Sequence, residues 1–103
     1  MTATVKAAPT QAERDAFEAT LRAQGYEEIF SKSIEANVVN AEHSHPFDVS
    51  VLVLGGQLTL ECGGRSHTYR TGDRFELARG IPHVERYGPD GYTFVAGRRS
   101  APR

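Results

Sequence analysis

A single cysteine, Cys62, in a chain of 103 residues excludes an intrachain disulfide. Excess charge of either sign is also missing. Twelve Lys and Arg against thirteen Asp and Glu leave a formal net charge of −1, which argues against the cationic footprint that nucleic-acid binding requires. No segment approaches the roughly 20 consecutive apolar residues that cross a bilayer. Met1 to Pro9 lacks even the shorter apolar run of a secretory signal. Internal repeats and low-complexity stretches are absent too. Together these absences predict a single soluble, cytoplasmic domain near the low end of domain size, with neither nucleic acid nor membrane as partner.

What the chain does contain is one helical signal followed by many strand signals. Thr10-Gln11-Ala12-Glu13 has the form of a capping box, Phe17 and Leu21 follow at helical spacing, and Gly25 stands where a C-terminal cap belongs. This predicts one short helix from Gln11 to Gln24. From Tyr26 onward the β-rich runs Ile29 to Ile34, Val38 to His45 and Val49 to Leu54 read as strands. Gly55-Gly56 then breaks the run. Leu58, Leu60 and Cys62 alternate up to a turn at Gly63-Gly64, and His67 and Tyr69, then Phe75 and Leu77, continue the period of two. Gly88-Pro89-Asp90-Gly91 reads as a turn leading into Tyr92 to Ala96. Many short strands at even spacing indicate an all-β sandwich or barrel. The expected division is an N-terminal extension and helix over 1–25, a barrel over 26–99 and a tail over 100–103.

Three of the four histidines carry the chemistry. Side chains alternate between the faces of a strand, so His43-Ser44-His45 puts two imidazoles on one side. His83, in Gly80-Ile81-Pro82-His83, arrives from a later segment, as a site with open coordination positions needs. His67 lies apart from this set and is expected to be packed or exposed. Cys62 is expected to be an inert strand thiol, because no base stands near it in sequence.

The intervals around these histidines resemble the two motifs of the cupin family. The first motif falls on Asn37, His43, His45, Val49 and Gly56, the second on Gly72, Ala78, Gly80, His83 and Tyr87. Together they cover Asn37 to Tyr87, and His-Ser-His-Pro-Phe-Asp with Gly-Ile-Pro-His is similar to the small single-domain bacterial cupins. The resemblance implies an all-β fold, a small double-stranded β-helix (jelly-roll) barrel with one short N-terminal helix. It also implies a homodimer and one divalent transition metal held by His43, His45 and His83. Val49 departs from the pattern, because the family has a ligating glutamate there and valine cannot coordinate. Two carboxylates are candidates to replace it. Asp48 reaches inward only if the chain bends out of strand geometry, whereas Glu85, two residues after His83, shares its face. Glu85 is preferred, as a proton carrier with a catalytic role beside the ion rather than as a direct ligand.

Three imidazoles with a carboxylate or water suit iron, nickel, zinc, manganese or copper. Two functional readings follow. In one, the chain is a metal-dependent dioxygenase acting on a small thiol or diketone, as the resemblance to three-histidine dioxygenase centres implies, or on a phenolic compound. In the other, the metal or the cavity serves to bind a small ligand or to stabilise the barrel, without turnover. In both, Phe47, Val49, Val51 and Tyr87 shape the pocket, and Arg79, just before the His83 turn, meets an anionic ligand at its mouth.

Overall fold

The computed structural model describes residues 7–100. The first six residues of the expected N-terminal extension, and 101–103 of the expected tail, lie outside the described residues. Helix α1 spans Gln11–Ala23. Its start is the anticipated capping box: Thr10 Oγ1 accepts from Glu13 N, and the Glu13 carboxylate accepts from Thr10 N. Its end follows from Gly25, whose φ of 83° is left-handed backbone that terminates a helix.

Six strands follow: β1 (Glu28–Ile34), β2 (Val39–His43), β3 (Phe47–Cys62), β4 (Arg65–Arg70), β5 (Arg74–Leu77) and β6 (His83–Ser100). All pairings are antiparallel. The two long strands organise the molecule, because β3 and β6 pair with each other along almost their whole lengths. The first half of β3 and the second half of β6 are flanked by β5 and β1. The second half of β3 and the first half of β6 are flanked by β4 and β2. Two four-stranded layers therefore share their central strands, the arrangement of a small jelly-roll barrel.

Four expectations are corrected by this topology. Gly55-Gly56 does not break the strand: β3 runs through it, with register shifts between Val53 and Gly55 and between Gly56 and Leu58. Gly88 to Gly91 is not a turn but the matching irregular stretch inside β6. The strand expected over Val38 to His45 ends at His43, leaving His45 in the linker to β3. Ser100, assigned to the tail, is the last residue of β6.

Burial explains the apolar run Val51-Leu52-Val53. Leu52 packs outward with Val95 against Phe17 and Leu21 of α1 and Tyr26. Val53, Leu58, Leu60, Tyr87 and Tyr92 form the core inside the barrel, joined by Phe75, Leu77 and Phe94. A strand buried on both faces is apolar at consecutive positions rather than alternate ones. Among the described residues, no helix is long and apolar enough to cross a membrane.

Candidate metal centre

His43 and His83 are register partners at the junction of β2 and β6, and His45 reaches the same place from the linker. That linker is pinned by Gly80 N, which donates to His45 O at 2.8 Å. The three rings gather closely, with centroids 4.3 Å apart for His43 and His83, 4.8 Å for His43 and His45, and 5.2 Å for His45 and His83. Glu85 joins them. One ligand atom from each of His43, His45, His83 and Glu85 lies within 4.8 Å of all the others.

Hydrogen bonding fixes what two of these rings present. His43 Nδ1 lies 2.7 Å from Ala41 O, and His83 Nδ1 lies 2.9 Å from Ile81 O. A carbonyl only accepts, so each Nδ1 donates, and in the neutral ring each Nε2 carries a lone pair. His83 is 1% exposed, and its Nε2 has no hydrogen-bond partner. Glu85 Oε1 faces it at 3.3 Å and faces His43 Nε2 at 3.8 Å. With both rings neutral, lone pairs converge with no proton between them, and a buried orphan acceptor is costly unless something positive fills the gap. A backbone carbonyl orienting the far ring nitrogen is also the usual support of a metal-ligating histidine. The donor set therefore fits a cation of the kind the sequence suggests.

The surroundings favour the neutral ring of His45. Burial first, and then the neighbouring His43 and His83, push the pKa of His45 below its ordinary value of 6.5. Tyr87 donates its hydroxyl to Glu85 Oε2 in a short hydrogen bond, and burial followed by that bond raises its pKa. Asn40 hydrogen-bonds the same tyrosine. Glu85 thus turns one oxygen to the histidines and the other to Tyr87.

A cavity of about 160 Å³ adjoins the cluster. Phe47, Val49, Val51 and Tyr87 line it as expected, and Val49 presents only methyl groups there. Asp48 and Arg79 do not line it. Asp48 alternates to the opposite face of β3 from Phe47 and Val49. Its Oδ1 accepts from Arg79 N and Nε at 2.9 and 3.1 Å, and its Oδ2 accepts from Arg79 Nη2 at 2.9 Å and Arg99 Nη2 at 3.0 Å. These arginines, Arg79 above all, hold the Asp48 carboxyl far below the usual carboxylate range. Asp48 is accordingly turned away from the histidine cluster, and the Arg79 guanidinium is engaged by Asp48 outside the cavity. His67 stands apart on β4, its ring centroid 4.4 Å from that of Tyr69.

Sequence reasoning overlooked the cavity residues Phe30, Lys32, Asn40, Phe94 and Arg98. A signal existed for Lys32: with Phe30 and Ile34 it occupies one period-two face, a charge amid apolar neighbours. Arg98 carried none, because its place on the inner face depends on the register of β6.

No family model matches the chain, and no curated protein is significantly similar to it. Solved structures do match. An RmlC-like cupin from Shewanella frigidimarina is similar with a TM-score of 0.61 at 16% identity, covering 71% of this chain and 65% of that one. A conserved protein with a double-stranded β-helix domain from Klebsiella pneumoniae gives 0.60 at 20% identity, over 69% and 64% of the two chains. The polyketide cyclase RemF from Streptomyces resistomycificus gives 0.60 at 23% identity, over 73% and 56%. The chain thus spans somewhat under two thirds of each of these three proteins.

Proposed function

We propose that this chain, a small protein of the cupin fold, binds one divalent transition metal through His43, His45, His83 and Glu85 and uses it on a small molecule in the adjoining cavity. The enzyme class we propose is a metal-dependent dioxygenase. The orphaned Nε2 of buried His83, inside a cluster of four convergent donors, carries the reading. Iron, nickel, zinc, manganese and copper all suit three imidazoles and a carboxylate. Such an ion, when bound, supplies Lewis acidity and, if redox-active, oxygen chemistry.

The chain's own residues would do the rest. His43 and His83 are held in one tautomer by Ala41 O and Ile81 O. Glu85 would offer Oε1 to the ion while Tyr87 restrains Oε2. Phe47, Val49 and Val51 keep the wall beside the ion apolar, which strengthens every charge interaction inside it. One observation favours a second reading, non-catalytic capture of a ligand: among the described residues Glu85 is the one carboxylate lining the cavity, and the Tyr87 hydroxyl already occupies one of its oxygens.

Elemental analysis after loading with each of the five metals tests the metal. About one ion per wild-type chain is expected, with His83→Ala nearly empty. Glu85→Gln is expected to lose metal to a chelator at roughly tenfold lower concentration. Equal metal in wild type and His83→Ala would overturn the reading. Oxygen uptake by the iron-loaded protein on thiols, diketones and phenols, with His45→Ala as control, separates dioxygenase from binder.

A further inference from the structure

Lys32 and Arg98 are the two fixed cations lining the cavity, and neither is explained by metal binding. Lys32 points from β1 between Phe30 and Ile34, and the ion pairs of the described residues leave it without a carboxylate. The guanidinium of Arg98 lies 4.6 Å from the ring centroid of Phe30 and 4.8 Å from that of Phe47. Its carboxylate neighbour, Glu28, is on the rim at 3.7 Å with a side chain 62% exposed, a contact that water screens and that contributes little. Stacked on two aromatic faces, Arg98 holds its planar fork of donors in place, the geometry that matches a carboxylate.

Against these two cations the lining carries one carboxylate, Glu85, and that one is engaged by Tyr87. With neutral histidines, the lining is one positive charge in excess before any metal is added. Both cations stand toward the open side, Lys32 exposed and the Arg98 side chain 41% exposed, so this balance favours an anionic occupant where the cavity opens.

Size and surface narrow the class. A cavity of about 150 Å³ holds a benzene ring, and this one is about 160 Å³. Its walls include flat aromatic surfaces: Phe94 meets Phe30 edge-on at 5.9 Å and Tyr92 in a stack at 4.8 Å. Phe47 joins the two charged regions, because His45 stacks on it at 4.8 Å and Arg98 lies over it at the same distance. A ligand one ring long would meet the cations and the histidine cluster together.

We infer that the cavity takes a small aromatic carboxylate, its carboxylate bound by Lys32 and Arg98, its ring against the phenylalanine wall, and a ring oxygen toward the histidine cluster. Only the last contact rests on the metal reading.

The test is calorimetric titration of chelator-treated protein with benzoate, benzamide and cyclohexanecarboxylate. Benzoate is expected to bind about tenfold more tightly than neutral benzamide, the scale of a charge-assisted hydrogen bond. Arg98→Gln and Lys32→Gln are each expected to weaken benzoate severalfold and leave benzamide unchanged. Arg98→Lys retains most of the preference, and unchanged thermal melting confirms that the variants fold. No benzoate binding at millimolar concentration, or a benzoate preference that survives both Gln variants, would overturn the proposal. Equal affinity for the puckered cyclohexanecarboxylate would overturn its aromatic part. Metal loading is then expected to raise affinity for 2-hydroxybenzoate above that for benzoate. Loss of that gain, with the benzoate preference intact, would defeat the metal reading and leave the carboxylate site standing.

Discussion

Asp48 and Glu85 are carboxylates lying three and two residues after a histidine, and the faces they occupy send them to different chemistry. Glu85 continues the inward face of His83 along β6 and meets two imidazoles and Tyr87. Asp48 points outward, where it ties the start of β3 to Arg79 in the β5–β6 loop and to Arg99 near the end of β6. That loop carries Gly80, which bonds the His45 carbonyl, and Ile81, which orients His83. Asp48→Ala is therefore expected to lower the melting temperature by a few degrees at neutral pH while leaving one metal per chain. A carboxyl whose folded pKa is lowered stabilises the protein fully above its unfolded pKa of about 3.9 and loses that contribution as pH falls toward the folded value. The gap between Asp48→Ala and wild type should accordingly narrow in melts taken from about pH 5 down to about pH 2. A gap that widens in acid, or loss of metal in the variant, would contradict this role. Glu85 was legible in the sequence because period-two alternation from His83 is local. The Asp48–Arg79 pair was not, because its partner lies in a different loop and one-dimensional spacing carries no information about it.

Turn and bulge chemistry look alike in a sequence, and this is where the strand elements departed from expectation. A hairpin turn and an irregular stretch inside a long strand both need residues that tolerate positive φ. Gly63-Gly64 became the turn between β3 and β4, whereas Gly55-Gly56 and Gly88 to Gly91 became the stretches where β3 and β6 shift register and pass from one layer to the other. What distinguishes them is the partner strand. Gly56, at φ 71°, lies so close to β6 that a Cβ there would fall 1.9 Å from Gly91 O and 2.7 Å from Gly91 C. At Gly63, φ is 53° but a Cβ would meet nothing within 4 Å. Gly63→Ala should thus cost about 1 to 2 kcal/mol, the strain of left-handed backbone alone. Gly56→Ala should cost more than about 3 kcal/mol or prevent folding, because two backbones must also separate. Urea unfolding of the two variants provides the comparison, and equal losses would show that the close approach of β3 and β6 at this corner does not matter. The helix raised no such ambiguity, since its capping box and Gly25 are local signals and both took their expected roles.

At the scale of the whole molecule, two layers sharing their long strands leave their outer strands half-paired. Among the described residues, β1 and β2 pair only with β6, and β4 and β5 pair only with β3. An open strand edge in a small domain is a site for adding another strand. These four edges differ in length and surroundings. Val38 and Val39, 39% and 54% exposed, accompany β2. Strand β1 is the longest of the four, seven residues against five in β2, six in β4 and four in β5, and it pairs with β6 in unbroken register, so it offers the longest regular edge to a second copy. A homodimer formed by addition across β1 is the expected assembly. Light scattering at micromolar concentration should therefore give twice the chain mass, and Val39→Glu, which places a charge beside the β2 edge, should leave that mass unchanged. A dimer that dissociates in Val39→Glu would move the contact to β2. A wild-type monomer would refute assembly through any of these edges and would mean that the acidic side chains at the start of β1, Glu27 and Glu28, suffice to keep it from pairing.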